Sequence, residues 1–280
     1  MSRLFISFAF LLFLTANAQV KVPAPSPAAK VSQTVGLTEV ELQYNRPSAK
    51  GRKVFGDLVP FGKMWRTGAN LNSMITFSDD VVIDGKTLPK GKYSIFATPK
   101  VDVWDIFFYK DVDNWGMPEK WSDEKVALST AVKPQAITQN IESLTFAINH
   151  LTNDSAHLEI SWEKTMVAIK FEVPTKKNAM ASIEKIMKGP GFADYYSAAQ
   201  YYFQSETEMA KALEYVNKAI ELRGGETPFW YTRMKSQIQA KLGDKKGAIE
   251  TAKASLASAE KAGNADYVKM NKDSIAEWSK

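Results

Sequence analysis

Six cations, three aromatic rings and an amide are crowded into the stretch from Arg46 to Asn70. Arg46, Lys50, Arg52 and Arg66 supply guanidinium and ammonium donors, Phe55, Phe61 and Trp65 supply apolar faces, and Asn70 both donates and accepts. Guanidinium groups recognise carboxylate, sulfate or phosphate through paired N–H donors, and a tryptophan face stacks on a sugar or an aromatic ring. The stretch has neither helical nor strand periodicity, and a long loop of this composition inside a compact domain is usually functional. The expected chemistry is binding of an anionic or sugar-like ligand by Arg46, Lys50, Arg52, Trp65, Arg66 and Asn70. The same residues also admit a structural reading. In it, Phe55, Leu58, Val59 and Trp65 plug the open end of a β-sandwich and Arg66 hydrogen-bonds loop carbonyls.

A second loop, Lys110 to Ser122, carries Asn114 and Trp115, with Trp104 before it and Trp121 near its end. If the two loops are neighbours, they form an aromatic-lined cleft with a basic rim. Asp111-Val-Asp-Asn-Trp-Gly116 imitates the start of a calcium loop, but Trp115 stands where an oxygen ligand is needed and Ser122 where the loop requires Glu. The chain has two histidines, His150 and His157, seven residues apart across a polar turn. Hairpin pairing would bring them together, yet no third ligand is placed beside them. Gly-x-Ser-x-Gly, His-Glu-x-x-His, Walker A and Rossmann patterns are absent. Asp57, Asp105 and Glu119 could serve a hydrolase only if two of them faced one cleft. No catalytic residue, metal ligand or cofactor is therefore assigned.

The elements that must position these loops are mostly strands. Thr34 to Tyr44 reads as one strand, followed by Met74–Phe77, Val81–Ile83 and Lys86–Leu88, the last two joined by Asp84-Gly85, a type I′ turn signal. Lys92–Ala97 puts Tyr93, Ile95 and Ala97 on one face. Trp104, Ile106 and Phe108 alternate, as do Leu144, Phe146 and Ile148, then Leu158, Ile160 and Trp162, then Val167, Ile169, Phe171 and Val173. The last two runs are expected to join across a hairpin loop at Glu163-Lys-Thr165. One apolar face per strand is the pattern of antiparallel sheets, and eight or nine short strands predict a sandwich or open barrel over 31–174.

The period changes after Pro174, and 179–280 is built of helix formers interrupted by Gly189-Pro-Gly191, Gly224-Gly225, Pro228, Gly243 and Gly263. Ala212, Val216 and Ala219 recur 36 residues later as Ala248, Ala252 and Ser255, each set following a segment rich in aromatic residues. Small residues at this spacing let paired helices approach closely, and the arrangement is tetratricopeptide-like. The fold class expected is thus α+β in two domains, a β-sandwich followed by a helical-hairpin domain. The helices offer a docking face for a protein partner.

Residues 1–18 read as a secretory signal peptide: Arg3, an apolar run from Leu4 to Leu14, and Ala16-Asn17-Ala18 as cleavage site. The run is too short to span a bilayer. Residues 19–30 read as a Pro-rich tether. With no cysteine in 280 residues, the chain forms no disulfide and must be held by packing. The net charge of +5 is spread along the chain without a basic run, which argues against nucleic acid.

Arg46-Pro-Ser-x-Lys-Gly-Arg, Phe55-Gly-x-Leu-Val-Pro-Phe-Gly-x-x-Trp-Arg-Thr-Gly-Ala-Asn70, Leu88-Pro-x-Gly-x-Tyr-Ser-Ile-Phe96 and Asn114-Trp-Gly116 together resemble a family of exported bacterial proteins known as domain of unknown function 2911. The resemblance covers about Val31 to Val173 and loosens after Trp121. It implies an exported β-rich domain, some members having a helical extension, and supplies no activity. The functional expectation is an exported, non-catalytic binding or adaptor protein of the cell envelope, with no membrane span after cleavage. Two rivals are a hydrolase of envelope or dietary polymers and a structural β domain that leaves all function to the helices.

Overall fold

The computed structural model describes residues 22–280. The expected signal peptide and the first residues of the tether lie outside the described residues. Ten strands form two antiparallel sheets. One has six strands, in the order β1 (Ala28–Val35), β2 (Thr38–Asn45), β3 (Met74–Phe77), β6 (Gly91–Pro99), β7 (Trp104–Tyr109) and β8 (Val126–Val132). The other has four, in the order β5 (Lys86–Leu88), β4 (Val81–Ile83), β10 (Ser155–Glu172) and β9 (Gln135–Asn149). Their inner faces meet in one core, in which Val40, Leu42, Ile75, Ile95, Ile106 and Phe108 oppose Leu144, Phe146, Leu158, Ile160, Trp162 and Phe171. Leu158, Ile160 and Trp162 are each at most 2 % exposed, so the alternation predicted for that segment sorted core from surface.

Three local expectations are corrected and two strand segments are added. The tether is shorter than 19–30, because Ala28–Lys30 already pair with β2. Thr34–Tyr44 is the end of one strand and most of the next, turned at Gly36-Leu37, where Gly36 has φ +58°. A Cβ there would strike the Thr175 hydroxyl and the Asn153 carbonyl, so glycine serves both the turn and the close approach. Glu163-Lys-Thr165 is no hairpin loop. β10 runs through it unbroken, and its register against β9 shifts between Ser161 and Glu163 and again between Glu163 and Thr165. Bulges and turns use similar residues, so the sequence pattern did not separate them. Finally, Val126–Val132 and the first half of β9 are strands whose mixed polarity hid them.

Six helices follow: α1 (Thr175–Ile186), α2 (Phe192–Gln204), α3 (Met209–Arg223), α4 (Phe229–Lys241), α5 (Lys245–Lys261) and α6 (Ala265–Trp278). The first begins at Thr175, four residues before the start expected for the helical domain at 179. α2 packs on α3, α4 on α5, and α6 on α5. Ala212, Val216, Ala219, Ala248, Ala252 and Ser255 are all fully buried, so the 36-residue repeat is the helix–helix seam. Asp244 caps α5 by accepting from the Gly247 N–H at 2.9 Å. No helix among the described residues is long and apolar enough to cross a membrane.

Candidate functional site

The long loop between β2 and β3 is sewn to both sheets. Its first part adds to the edge of β9: Ala49 N–H donates to the Glu142 carbonyl at 2.8 Å and Leu144 N–H to the Pro47 carbonyl at 2.9 Å. Its last part adds to the edge of β6, where Trp65 and Ala97 exchange backbone hydrogen bonds of 2.7 and 2.9 Å and Ile95 N–H donates to the Ser73 carbonyl at 2.8 Å. Each sheet thus extends its ladder through the loop, which satisfies backbone groups that would otherwise be orphaned at the open end. Between the two anchors, Phe55 and Val59 are buried in the core. Trp65 packs on the core as well, stacked on Trp162 at 6.0 Å and edge-on to Phe55 and Trp104 at 5.9 and 6.2 Å. The plug expected from Phe55, Val59 and Trp65 is present. Leu58, expected with them, is 39 % exposed.

This architecture divides the six expected ligand residues. Arg46 donates through Nε to the Leu144 carbonyl at 3.0 Å and through a terminal nitrogen to Thr145 Oγ1 at 2.8 Å. Arg52 donates to the carbonyls of Ala49 and Ser48, both at 2.8 Å. Their forks are occupied by the loop and by β9, and the Trp65 ring is occupied by the core. The carbonyl-bonding role expected of Arg66 thus falls mainly to Arg46 and Arg52. Lys50 is exposed, with φ +51° and its backbone N–H on Glu142 Oε1 at 2.8 Å. Asn70, at φ +59°, reaches the Ser26 carbonyl at 3.4 Å.

Arg66 is different. It follows an inward-facing tryptophan in an extended segment, so alternation turns it to the outer face of the six-stranded sheet. Its one hydrogen bond is a long 3.4 Å contact from Nε to the Gly68 carbonyl. Every ion pair among the described residues is made by a lysine or a histidine, none by Arg66. Its guanidinium, half-buried, lies against Gly116 of the second loop, and a Cβ at Gly116 would come within 2.8 Å of it. Thr67, next in the chain, has φ +52°, a costly conformation for a β-branched residue, and is held there by its hydroxyl on the Ile95 carbonyl at 2.7 Å.

The two loops are neighbours, as the basic-rimmed cleft required. Asn72 N–H reaches the Asn114 carbonyl at 3.4 Å, and the Asn72 side chain reaches Ser94 Oγ, which donates to the Asp111 carbonyl at 2.7 Å. Two buried side-chain atoms here have no hydrogen-bond partner among the described residues, Asn72 Oδ1 and Asn114 Nδ2. Beside Asn72 a cleft of about 280 Å³ opens, bordered by Lys30, Gln43, Asn45 and Leu71. The aromatic lining is not as expected. Trp104 is in the core, and Trp121 stacks on Tyr109 at 4.5 Å and meets Phe96 and Phe107 edge-on. Only Trp115 stands free, at 72 % exposure.

Sequence reasoning missed Asn72 and Ser94 because each is an ordinary polar residue beside a strand. The signal that could have found them is the run Ser94 to Ala97, buried on both faces, which implies that something covers the outer face of the sheet.

No hydrogen bond or ion pair among the described residues joins Asp57, Asp105, Glu119 and His150; Asp105 pairs with Lys100 at 2.7 Å. His150 and His157 do meet, ring centroids 4.8 Å apart, with Glu159 Oε1 3.5 Å from His150 Nε2. Burial, with the charges of His150 and Lys170, lowers the His157 pKa, Glu159 acting in opposition. No group of three histidine or carboxylate side chains among the described residues is placed to hold a metal ion. Asp79, in the turn before β4, joins the β domain to α1 through Asn178. Burial disfavours its charge, but hydrogen bonds from Ser78, Thr38 and Asn178 outweigh that and hold its pKa below the ordinary value.

A family model described as protein of unknown function DUF2911 matches residues 26–171, just over half of the chain. The chain therefore belongs to that family, with the six helices as an extension beyond the matched region. No curated protein and no solved structure matches it.

Proposed function

We propose that this is an exported, non-catalytic binding protein whose outer-face site at Arg66 takes a small oxyanion or acidic sugar, with the helices docking a protein partner. The observation that carries the reading is the state of Arg66: a half-buried guanidinium with one long hydrogen bond and no carboxylate partner among the described residues. A guanidinium drawn partly out of water favours an anionic partner, and Arg46 and Arg52 show how the same side chain looks when the protein itself supplies the acceptors. Asn72 Oδ1 and Asn114 Nδ2 add an unmet acceptor and an unmet donor, and Trp115 adds an exposed face for stacking. The sequence pattern of residues 1–18, a basic residue, an apolar run and Ala-x-Ala, supports export to the envelope. The test is a thermal-shift screen of residues 19–280 against simple oxyanions and acidic sugars. A ligand that raises Tm in the parent chain and leaves Arg66→Ala unmoved is the expected result; a ligand that stabilises both chains equally removes the basis of the proposal.

A further inference from the structure

Where the sandwich meets the helices, the Gly36-Leu37 turn, Asn153 and the facing sides of α1 and α2 enclose a cleft of about 380 Å³. That volume lies within the range of small-molecule sites, which favour domain junctions. Its walls are apolar: Ala179, Ile183 and Ile186 from α1 and Met187 just after it, with Ala198 and Tyr201 from α2. Its charge is one-sided. Of the residues lining it, Asp194 alone is charged, and no lysine or arginine lines it. One carboxylate oxygen of Asp194 accepts from the Gly191 N–H at 2.9 Å, and its other oxygen has no hydrogen-bond partner among the described residues. The Tyr201 phenol is pushed up by burial and then by the Asp154 carboxylate, so a second negative charge acts on the same wall. The carboxyl-terminal end of α1 and the amino-terminal end of α2 both lie along it, with opposite partial charges. An anionic headgroup meets no lysine or arginine among the lining residues, whereas a cationic one meets a carboxylate and an aromatic ring.

We propose that this cleft binds a small amphiphile with an apolar body and a protonated amine head, the body lying along Ile183 and Ala198 and the head at Asp194. The site is separate from Arg66 and has the opposite charge preference, so neither proposal depends on the other. The test is calorimetric titration of residues 19–280 with n-octylammonium, 1-octanol and n-octanoate below their micellar concentrations. One octylammonium binds per chain, roughly tenfold or more tighter than octanoate. Asp194→Asn, which keeps an oxygen for the Gly191 N–H, weakens octylammonium by roughly threefold to tenfold and leaves octanol within about twofold. Ser182→Trp, a bulky ring on an exposed lining position, abolishes binding of octylammonium and octanol. Octanoate binding as tightly as octylammonium, absence of octylammonium binding, or full binding by a folded Ser182→Trp chain would overturn the proposal. Circular dichroism reports folding, and if Ser182→Trp does not fold, the Asp194→Asn comparison decides alone.

Discussion

Arg46 and Arg66 lie in one loop, twenty residues apart, and have opposite fates. Arg46 belongs to the part that extends β9 and spends its fork on Leu144 and Thr145. Arg66 belongs to the part that extends β6 and spends almost nothing. The same contrast holds for neighbours in the chain: Trp65 is inside, among Phe55, Trp104 and Trp162, and Arg66 is outside against Gly116. One segment therefore closes the sandwich and presents a cation at once. An arginine that finds carbonyls has completed a structural task, and one left without acceptors remains available to a ligand.

Substitutions in the two parts should separate these tasks. The largest effect is expected from Trp65→Ala, which empties the centre of a four-ring cluster and should lower unfolding stability by about 3 kcal/mol in chemical denaturation. A cost under about 1 kcal/mol would mean that the ring is not part of the plug. Gly116→Ala comes next, at about 2 kcal/mol, because φ there is +97° and the added methyl meets the Arg66 guanidinium. Combining it with Arg66→Ala should recover part of that loss; strict additivity would show that only the backbone angle matters. Arg46→Met should cost about 1–2 kcal/mol by leaving the Leu144 carbonyl short of a donor. Arg66→Met should change stability by no more than about 0.5 kcal/mol. The last pair sharpens the comparison most: equal losses for the two arginines would erase the distinction between latch and open cation.

The helical half shows what a single chain makes easy to read. Ala212, Ala248, Ala252 and Ser255 recur at a helical spacing, and their burial follows from local periodicity because each packs against a helix close in sequence. The long loop has no period of its own. Arg46 finds Leu144 and Trp65 finds Trp162 across about a hundred residues. Its composition marked it as important, while the division of its arginines between structure and site could not be read along the chain. Asn72 and Ser94 were hidden for the same reason, since their neighbours come from a loop beyond β7.

By itself, the order of residues determined the two-domain α+β division, the inward face of most strands, the helical repeat, the absence of disulfides and the family. These rest on period, composition and local turn chemistry, which act between residues near in sequence. Tertiary structure alone decided that β10 passes unbroken through Glu163–Thr165, that the 46–73 loop is shared between two sheets, and that Arg66, of the loop's three arginines, keeps only one long hydrogen bond among the described residues. A bulge, an edge pairing and an unpaired donor are each defined by what lies opposite, and what lies opposite is set by the packing of segments distant in the chain.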